Sequence, residues 1–330
     1  MKQHIIRSQD FTLEDLDKIF LRADMHRRMI DDSDGRRKLG KVLKEKIVNV
    51  VFYEKSTRTL ASFVNGAYHL GAKVFATPDA GTTSSEAKGE TFRHTVHMFA
   101  GYEPDILVIR HNTAGRLQEG ARVLERISSK THLINAGDGP GQHPTQALLD
   151  VYTLRRELGR TNNITIMLGG DLLHGRTARS LAYMLTRYQE IKIIFAAPKN
   201  LQIGSDILAH LDEHHVSYEL VGADFKKYLR HVHAVYWTRL QEERVVHENA
   251  AEQIRLRAEL ARVQKENFCI GPNEMREMRE DAILMHPLPI NDRAREIEEE
   301  VEDDPRCVIF KQAANGMFVR MALLDILMNG

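Results

Sequence analysis

The chain has 330 residues, more than one ordinary core usually holds, so two domains are expected. Its 46 Lys and Arg balance 46 Asp and Glu, with a pI near 7.3, so charge points to neither nucleic acid nor an anionic membrane as the main partner. Cys269 and Cys307 lie outside any CxxC or Cys/His metal spacing, and a chain of this length needs no disulfide. A reducing, cytoplasmic setting and a small-molecule enzyme fit these bounds.

The opening stretch "MKQHIIRSQDFTLEDL" has no long apolar core and moves directly into a helix start at Thr12 and Asp15, so neither a signal peptide nor a membrane span is expected. Four short β-rich runs follow: "IVNVVFY" (47–53), "KVFAT" (73–77), "ILVIR" (106–110) and "HLINA" (132–136). Between them lie helical patterns such as Leu60, Phe63, Ala67 and Leu70. A second series comprises "ITIMLGG" (164–170), "IKIIFAA" (191–197), "YELVG" (218–222), "AVYWT" (234–238) and "AILMH" (282–286). Apolar runs alternating with amphipathic helices predict an α/β chain of two tandem doubly wound parallel-sheet domains. No solenoid period or low-complexity tract interrupts them. The charged run "HENAAEQIRLRAELARVQKE" (247–266) reads as a helix with a solvated face.

Chemistry-bearing residues gather where strands give way to helices. In "FYEKSTRTLASF" (52–63), Ser56 is placed to cap a helix whose first amides, on Thr57, Arg58 and Thr59, point outward. Such an end attracts anions, and Arg58 adds a planar fork matched to phosphate oxygens. A plain capped helix with a surface arginine would look the same, so the other strand ends decide. In "NAGDGPGQHPTQALLD" (135–150), a glycine-rich turn delivers His143 and Gln146 to another strand-to-helix switch, where ligands of α/β sheets bind. A histidine there can equally be structural. Arg110 in "LVIRHN", Arg176 in "GGDLLHGRTARS", and Arg239 with Gln241 in "YWTRLQEER" occupy equivalent positions. Four arginines at strand ends, counting Arg58, imply substrates rich in negative charge. "LGGDLLHG" lacks the GxGxxG spacing and an acidic ribose partner, which argues against a dinucleotide module.

Taken in order, "STRT", "HPTQ", "GDL..GRT", "TR.Q.ER" and the "HPLP" of His286 to Pro289 resemble the catalytic chains of the aspartate/ornithine carbamoyltransferase family, over nearly the whole length. The resemblance implies carbamoyl transfer from carbamoyl phosphate to L-aspartate, a homotrimer, and neither metal nor organic cofactor. It implies a carbamoyl-phosphate-binding domain over 1–144, joined by a returning C-terminal helix, 312–330, and an aspartate-binding domain over 145–311. Carried over residue by residue, Ser56, Thr57, Arg58 and Thr59 would hold the phosphate. Thr59, Arg110 and His143 would face the carbamoyl oxygen. Gln146 and the backbone carbonyls of Pro287 and Leu288 would receive the carbamoyl amino group. Arg176, Arg239 and Gln241 would bind aspartate carboxylates. Ser84 and Lys88, in "GTTSSEAKGET" (81–91), would enter from the neighbouring subunit.

Two alternatives are weighed. An ornithine-specific relative would carry "HPCQ" and "HCLP", whereas this chain has Thr145 and Pro287 at those points. A non-catalytic partner protein has no need of Arg58, Lys88, Arg110, His143 and Arg239 together. The segment between Arg239 and His286 reads longer than in familiar bacterial chains, and the sequence leaves regulatory or pathway partner chains open.

Overall fold

A computed structural model describes residues 2–83, 89–241, 248–291 and 295–330. The chain forms two compact units, Met1–Tyr152 with Ala314–Gly330, and Thr153–Ala313. In chain order the first contains α1 (Leu13–Ile30), α2 (Ser33–Leu39), β1 (Ile47–Phe52), α3 (Thr57–His69), β2 (Lys73–Thr77), α4 (Ala80–Thr83), α5 (Phe92–Gly101), β3 (Ile106–His111), α6 (Arg116–Arg126) and β4 (His132–Asp138). Helix α7 (Pro144–Leu158) then carries the chain into the second unit. That unit holds β5 (Ile164–Gly169), α8 (Arg176–Leu185), β6 (Ile191–Ala196), α9 (Ser205–Glu213), β7 (Ser217–Val221), β8 (Ala234–Trp237), α10 (Ala250–Asn267), α11 (Pro272–Glu277) and β9 (Ile283–Met285). Helix α12 (Ile309–Asn329) returns the chain to the first unit.

Both sheets are parallel, as expected of apolar runs buried on both faces. The first is ordered β2-β1-β3-β4 and the second β7-β6-β5-β8-β9. Exposure follows position: every residue of β3 and β8 is buried, while the edge strands β2 and β7 keep mostly open or half-buried residues. Each of the nine apolar runs in the sequence forms a strand, with ends shifted by a residue or two. The capping box foreseen at the start of α1 is present, with Thr12 accepting from the Asp15 amide at 3.1 Å and Asp15 answering at 3.1 Å. Helix α10 keeps a solvated surface, with Gln264 its buried residue.

The core of the first unit packs α5 and α6 against β1, β3 and β4 through Val51, Phe92, Val96, Leu107, Ile109, Leu124 and Leu133. In the second, Trp237 lies 4.6 Å from Phe225, ring to ring, and its indole N–H donates to the Phe268 carbonyl at 2.9 Å. That bond removes the cost of burying a polar tip with a large apolar ring.

Helix α12 locks into the first unit through charge. Asp325, 2 % exposed, accepts from Arg22 at 2.6 Å and meets His26 Nε2 at 2.9 Å. The Arg27 guanidinium lies 4.0 Å from the Phe318 ring centre. Burial alone would raise the Asp325 pKa, but hydrogen bonds from His26, Asn329 and Arg22 draw it from 3.8 down to about 2. A carboxylate whose folded pKa is depressed contributes stability above its unfolded pKa and loses it as pH falls through the folded value. Asp325→Asn should therefore lower the unfolding free energy by on the order of 2 kcal/mol at pH 7, and by almost nothing below pH 2. Denaturant titrations at both pH values check this, and an equal loss at both would refute the charge assignment.

Candidate active site

In each unit, the strand order reverses at one point, between β1 and β3 in the first and between β5 and β8 in the second. Crevices at such points, outside the carboxyl ends of the strands, are where open α/β sheets bind ligands. The residues singled out in the sequence sit at these ends.

In the first unit, Phe52 pairs in register with Arg110, so the chain leaving β1 begins α3 beside the end of β3. Ser56 occupies the N-cap of α3 in extended conformation, but its hydroxyl makes no capping hydrogen bond, contrary to the sequence expectation. Its carbonyl instead accepts the Leu60 amide at 3.1 Å, starting the helix through the backbone alone. The open amides of the first turn are thus left without a cap from the Ser56 side chain. Arg58 projects beside them with open surface and no charged partner among the described residues. Surrounding protein strips part of its water and lowers its pKa from the usual arginine value, yet a guanidinium remains charged at neutral pH. A partly desolvated cation at a helix N-terminus without a cap from Ser56 is a setting that attracts anions.

Arg110 is held more firmly. One extra residue in β4 makes a bulge, since Ile109 pairs with Asn135 while His111 pairs with Asp138. Arg110 Nη1 donates to the Ala136 carbonyl within that bulge at 3.2 Å, and Nη2 donates to Glu54 at 3.0 Å. The turn after β4 doubles back tightly. Gly139 has φ +53, and a side chain there would meet the Asn112 carbonyl at 2.3 Å, so the turn requires glycine. The turn delivers His143, 3 % exposed, whose carbonyl accepts the Gln146 amide at 2.9 Å as α7 opens on Pro144. Gln146 Nε2 donates to the buried Asp150 at 3.0 Å.

In the second unit, β5 and β8 converge as parallel neighbours. The Thr238 amide and hydroxyl both donate to the Gly169 carbonyl at 2.8 Å, drawing the two strand ends together. Gly170 has φ +105, and a side chain there would lie 2.0 Å from the Thr238 carbonyl. The paired glycines of "LGGDL" therefore serve strand packing. Asp171 caps the following turn by accepting the His174 amide at 3.0 Å, and Arg176 begins α8. Arg239 and Gln241 follow β8, one strand away.

The "HPLP" turn follows β9. His286, 2 % exposed, accepts the Leu288 amide on Nδ1 at 2.8 Å, so Nε2 carries the proton and donates to Glu296, itself fully buried, at 2.9 Å. Both ring nitrogens are engaged, and His286 braces the turn. Leu288 is held at φ 58, a left-handed conformation rare for leucine, which this brace maintains.

Ser56, Thr57, Arg58, Thr59, Arg110, His143 and Gln146 thus fall in the first unit, and Arg176, Arg239, Gln241, Pro287 and Leu288 in the second, each at or after the carboxyl end of a strand. Ser84 and Lys88 lie outside the described residues. Four supporting residues escaped the sequence reading: Glu54, Asp150, Glu296 and Arg320. Arg320 is 3 % exposed, and burial pulls its pKa down to about 10 against the opposing charge of Asp150. A lone arginine inside the apolar run "GMFVRMALL" was the available signal; Glu296 was hidden in the acidic run around it.

Comparison with known proteins agrees in both halves. Residues 3–156 match the aspartate/ornithine carbamoyltransferase carbamoyl-P binding domain, and residues 162–327 match the Asp/Orn binding domain of the same family. The chain is 39 % identical over 326 residues to aspartate carbamoyltransferase 1, chloroplastic, of Pisum sativum, covering 99 % of this chain and 78 % of the relative. It is 38 % identical over 322 residues to the aspartate carbamoyltransferase catalytic subunit of Clostridium novyi, covering 98 % and 96 %. The crystal structure of Trypanosoma cruzi aspartate transcarbamoylase in complex with carbamoyl phosphate and aspartate superposes with a TM-score of 0.85 at 33 % identity, covering 98 % of this chain and 95 % of that one.

Gly170→Ala should destabilise the chain by about 1–3 kcal/mol, because a Cβ at this φ both strains the backbone and strikes a carbonyl. Thermal unfolding checks this: an unchanged midpoint would mean that the β5 and β8 ends are not locked at this contact.

Proposed function

The chain belongs to the aspartate/ornithine carbamoyltransferase family, and from that premise we infer that it transfers the carbamoyl group of carbamoyl phosphate to the α-amino group of L-aspartate. The products are N-carbamoyl-L-aspartate and phosphate, in pyrimidine synthesis. The observation that carries this reading is the uncapped N-terminus of α3 with Arg58 beside it, an anion site at the point where the sheet order reverses.

The roles follow from where charge develops. The uncharged amine of aspartate attacks the carbamoyl carbon, a carbon–nitrogen bond forms, the bond to the phosphate oxygen breaks with its electron pair leaving on phosphate, and the departing phosphate takes up the proton that the nitrogen loses. Ser56, Thr57, Arg58 and Thr59 meet the growing charge on phosphate. Thr59, Arg110 and His143 donate to the carbamoyl oxygen, and each such donor is worth roughly 3 kcal/mol in systems of this kind. Gln146 and the carbonyls of Pro287 and Leu288 receive the carbamoyl amino group. Arg176, Arg239 and Gln241 bind the aspartate carboxylates. Carbamoyl phosphate is already an activated donor, so the chemistry calls for no metal or organic cofactor.

We assign the chain a homotrimeric assembly in which Ser84 and Lys88 act in the neighbour's site, with regulatory or pathway chains as additional partners left open. A reducing, cytoplasmic setting suits Cys269 and Cys307, both free, whose thiols burial pushes up to about 12 and about 11. No helix among the described residues is long and apolar enough to cross a membrane.

Phosphate release from carbamoyl phosphate, measured with a panel of amino acids, should require L-aspartate and ignore ornithine. Release with ornithine alone would replace the acceptor; release with none would overturn the reading.

The shared site has its own test. Arg58→Ala and Lys88→Ala proteins should each lose at least about a hundredfold in turnover. Unfolded together and reassembled at equal amounts, they should recover about one active site in four, since a cyclic trimer brings an intact Arg58 beside an intact Lys88 at that frequency. No recovery in demonstrated mixed trimers would place Lys88 in its own chain's site or outside the chemistry.

A further inference from the structure

Arg320 sits on α12 with no role in binding either substrate, yet its guanidinium reaches two helices that open on proposed substrate residues. Nη1 donates to Ser62 Oγ of α3 at 2.6 Å, and Nη2 donates to Thr145 Oγ1 of α7 at 3.5 Å. Its carbon centre lies 5.1 Å from the Phe63 ring centre. Burying a guanidinium this deeply is costly unless its donors are met, and the contacts it makes are specific ones.

Each contact continues toward the site. Ser62 Oγ donates to the Thr59 carbonyl at 2.9 Å. Thr145 Oγ1 lies 3.4 Å from His143 Nδ1. The negative charge facing Arg320 is Asp150, and Asp150 accepts from Gln146. Thr59 in α3, His143 just before α7 and Gln146 within it are therefore each one side chain away from one guanidinium.

Direction is fixed along these links. Arginine can only donate, so each hydroxyl it contacts accepts from it and has its own proton to pass on. Ser62 passes its proton to the Thr59 carbonyl. Thr145 keeps a proton to donate, and His143 Nδ1 lies 3.4 Å from its oxygen; the arrangement in which Nδ1 accepts and the ring proton resides on Nε2 uses that donor. We propose that Arg320 is a positioning residue that fixes His143 in its Nε2-protonated tautomer and ties the start of α3 to the start of α7, so that donors from both helices meet one carbamoyl oxygen. This rests on the carbamoyl-transfer reading for the roles of Thr59, His143 and Gln146, but the tautomer itself does not.

The test is nitrogen NMR of histidine-labelled protein without substrate, with His143 assigned by its own substitution. The native protein should show His143 protonated on Nε2. In Arg320→Met the Thr145 hydroxyl is free to turn and accept, so the Nδ1-protonated form should appear. Thr145→Val should shift the tautomer as well, and Ser62→Ala should not. Turnover in Arg320→Met should fall at least about tenfold, because misplacement of reacting groups is costly, and Arg320→Lys should restore part of it. If Arg320→Met does not fold, the near-isosteric Thr145→Val decides. An unchanged tautomer in folded Thr145→Val, with carbamoyl transfer intact in the native protein, overturns the inference alone. Failure of the native protein to release phosphate with aspartate would instead remove the functional reading and leave the tautomer result standing.

Discussion

In a parallel sheet every strand releases its chain at the same end, and the helix that follows begins there with its positive pole exposed. This chain places arginines at those same ends, adding charge where charge is already unfavourable. The arrangement is sustained by unequal treatment of the cations. Arg110 is answered by Glu54 and by a carbonyl that a bulge in β4 makes available. Arg320 faces Asp150. Arg58, at the uncapped start of α3, has no charged partner among the described residues. The internal acids neutralise what must stay in place, and the uncompensated positive potential is concentrated where an anion is to be drawn.

The second unit meets the same constraint with backbone geometry. The lock between Thr238 and Gly169 and the forced glycine at 170 bring the ends of β5 and β8 together, so Arg176 and Arg239 rise from adjacent strands. The His286–Glu296 pair then holds the next turn, after β9, in a backbone conformation that leucine would not choose. Rigid strands with braced exits suit a site that must distinguish acceptors by the placing of carboxylates.

Much of this was legible in the sequence because the central strands are buried on both faces and must be apolar throughout; β3 and β8 could scarcely be written otherwise. Arginines after strands are equally visible, since a charge following an apolar run has few structural reasons. The capping role expected of Ser56 failed because a hydroxyl can sit at the N-cap without turning inward, and sequence does not encode its rotamer. Arg320 stood out as a charge in an apolar run, but its role could not be read, since it depends on Ser62 and Thr145, which lie 258 and 175 residues away. His286 was visible as part of a motif, but its brace, Glu296, was indistinguishable from its acidic neighbours until the fold buried it.

The return of α12 has a consequence for how the protein is made. Translation is vectorial, and residues Ala314–Gly330 complete a unit whose other part ends at Tyr152. His26 waits 299 residues for Asp325, and Arg27 waits 288 for Asn315. Until the last helix emerges, His26 and Arg27 of the nascent first unit lack these partners, although its four-stranded sheet is already encoded in full. Completion of the first unit is thereby timed to the end of synthesis: a polypeptide arrested before α12 can carry every residue proposed to face phosphate and still lack the Arg320 guanidinium that bonds to α3 and α7.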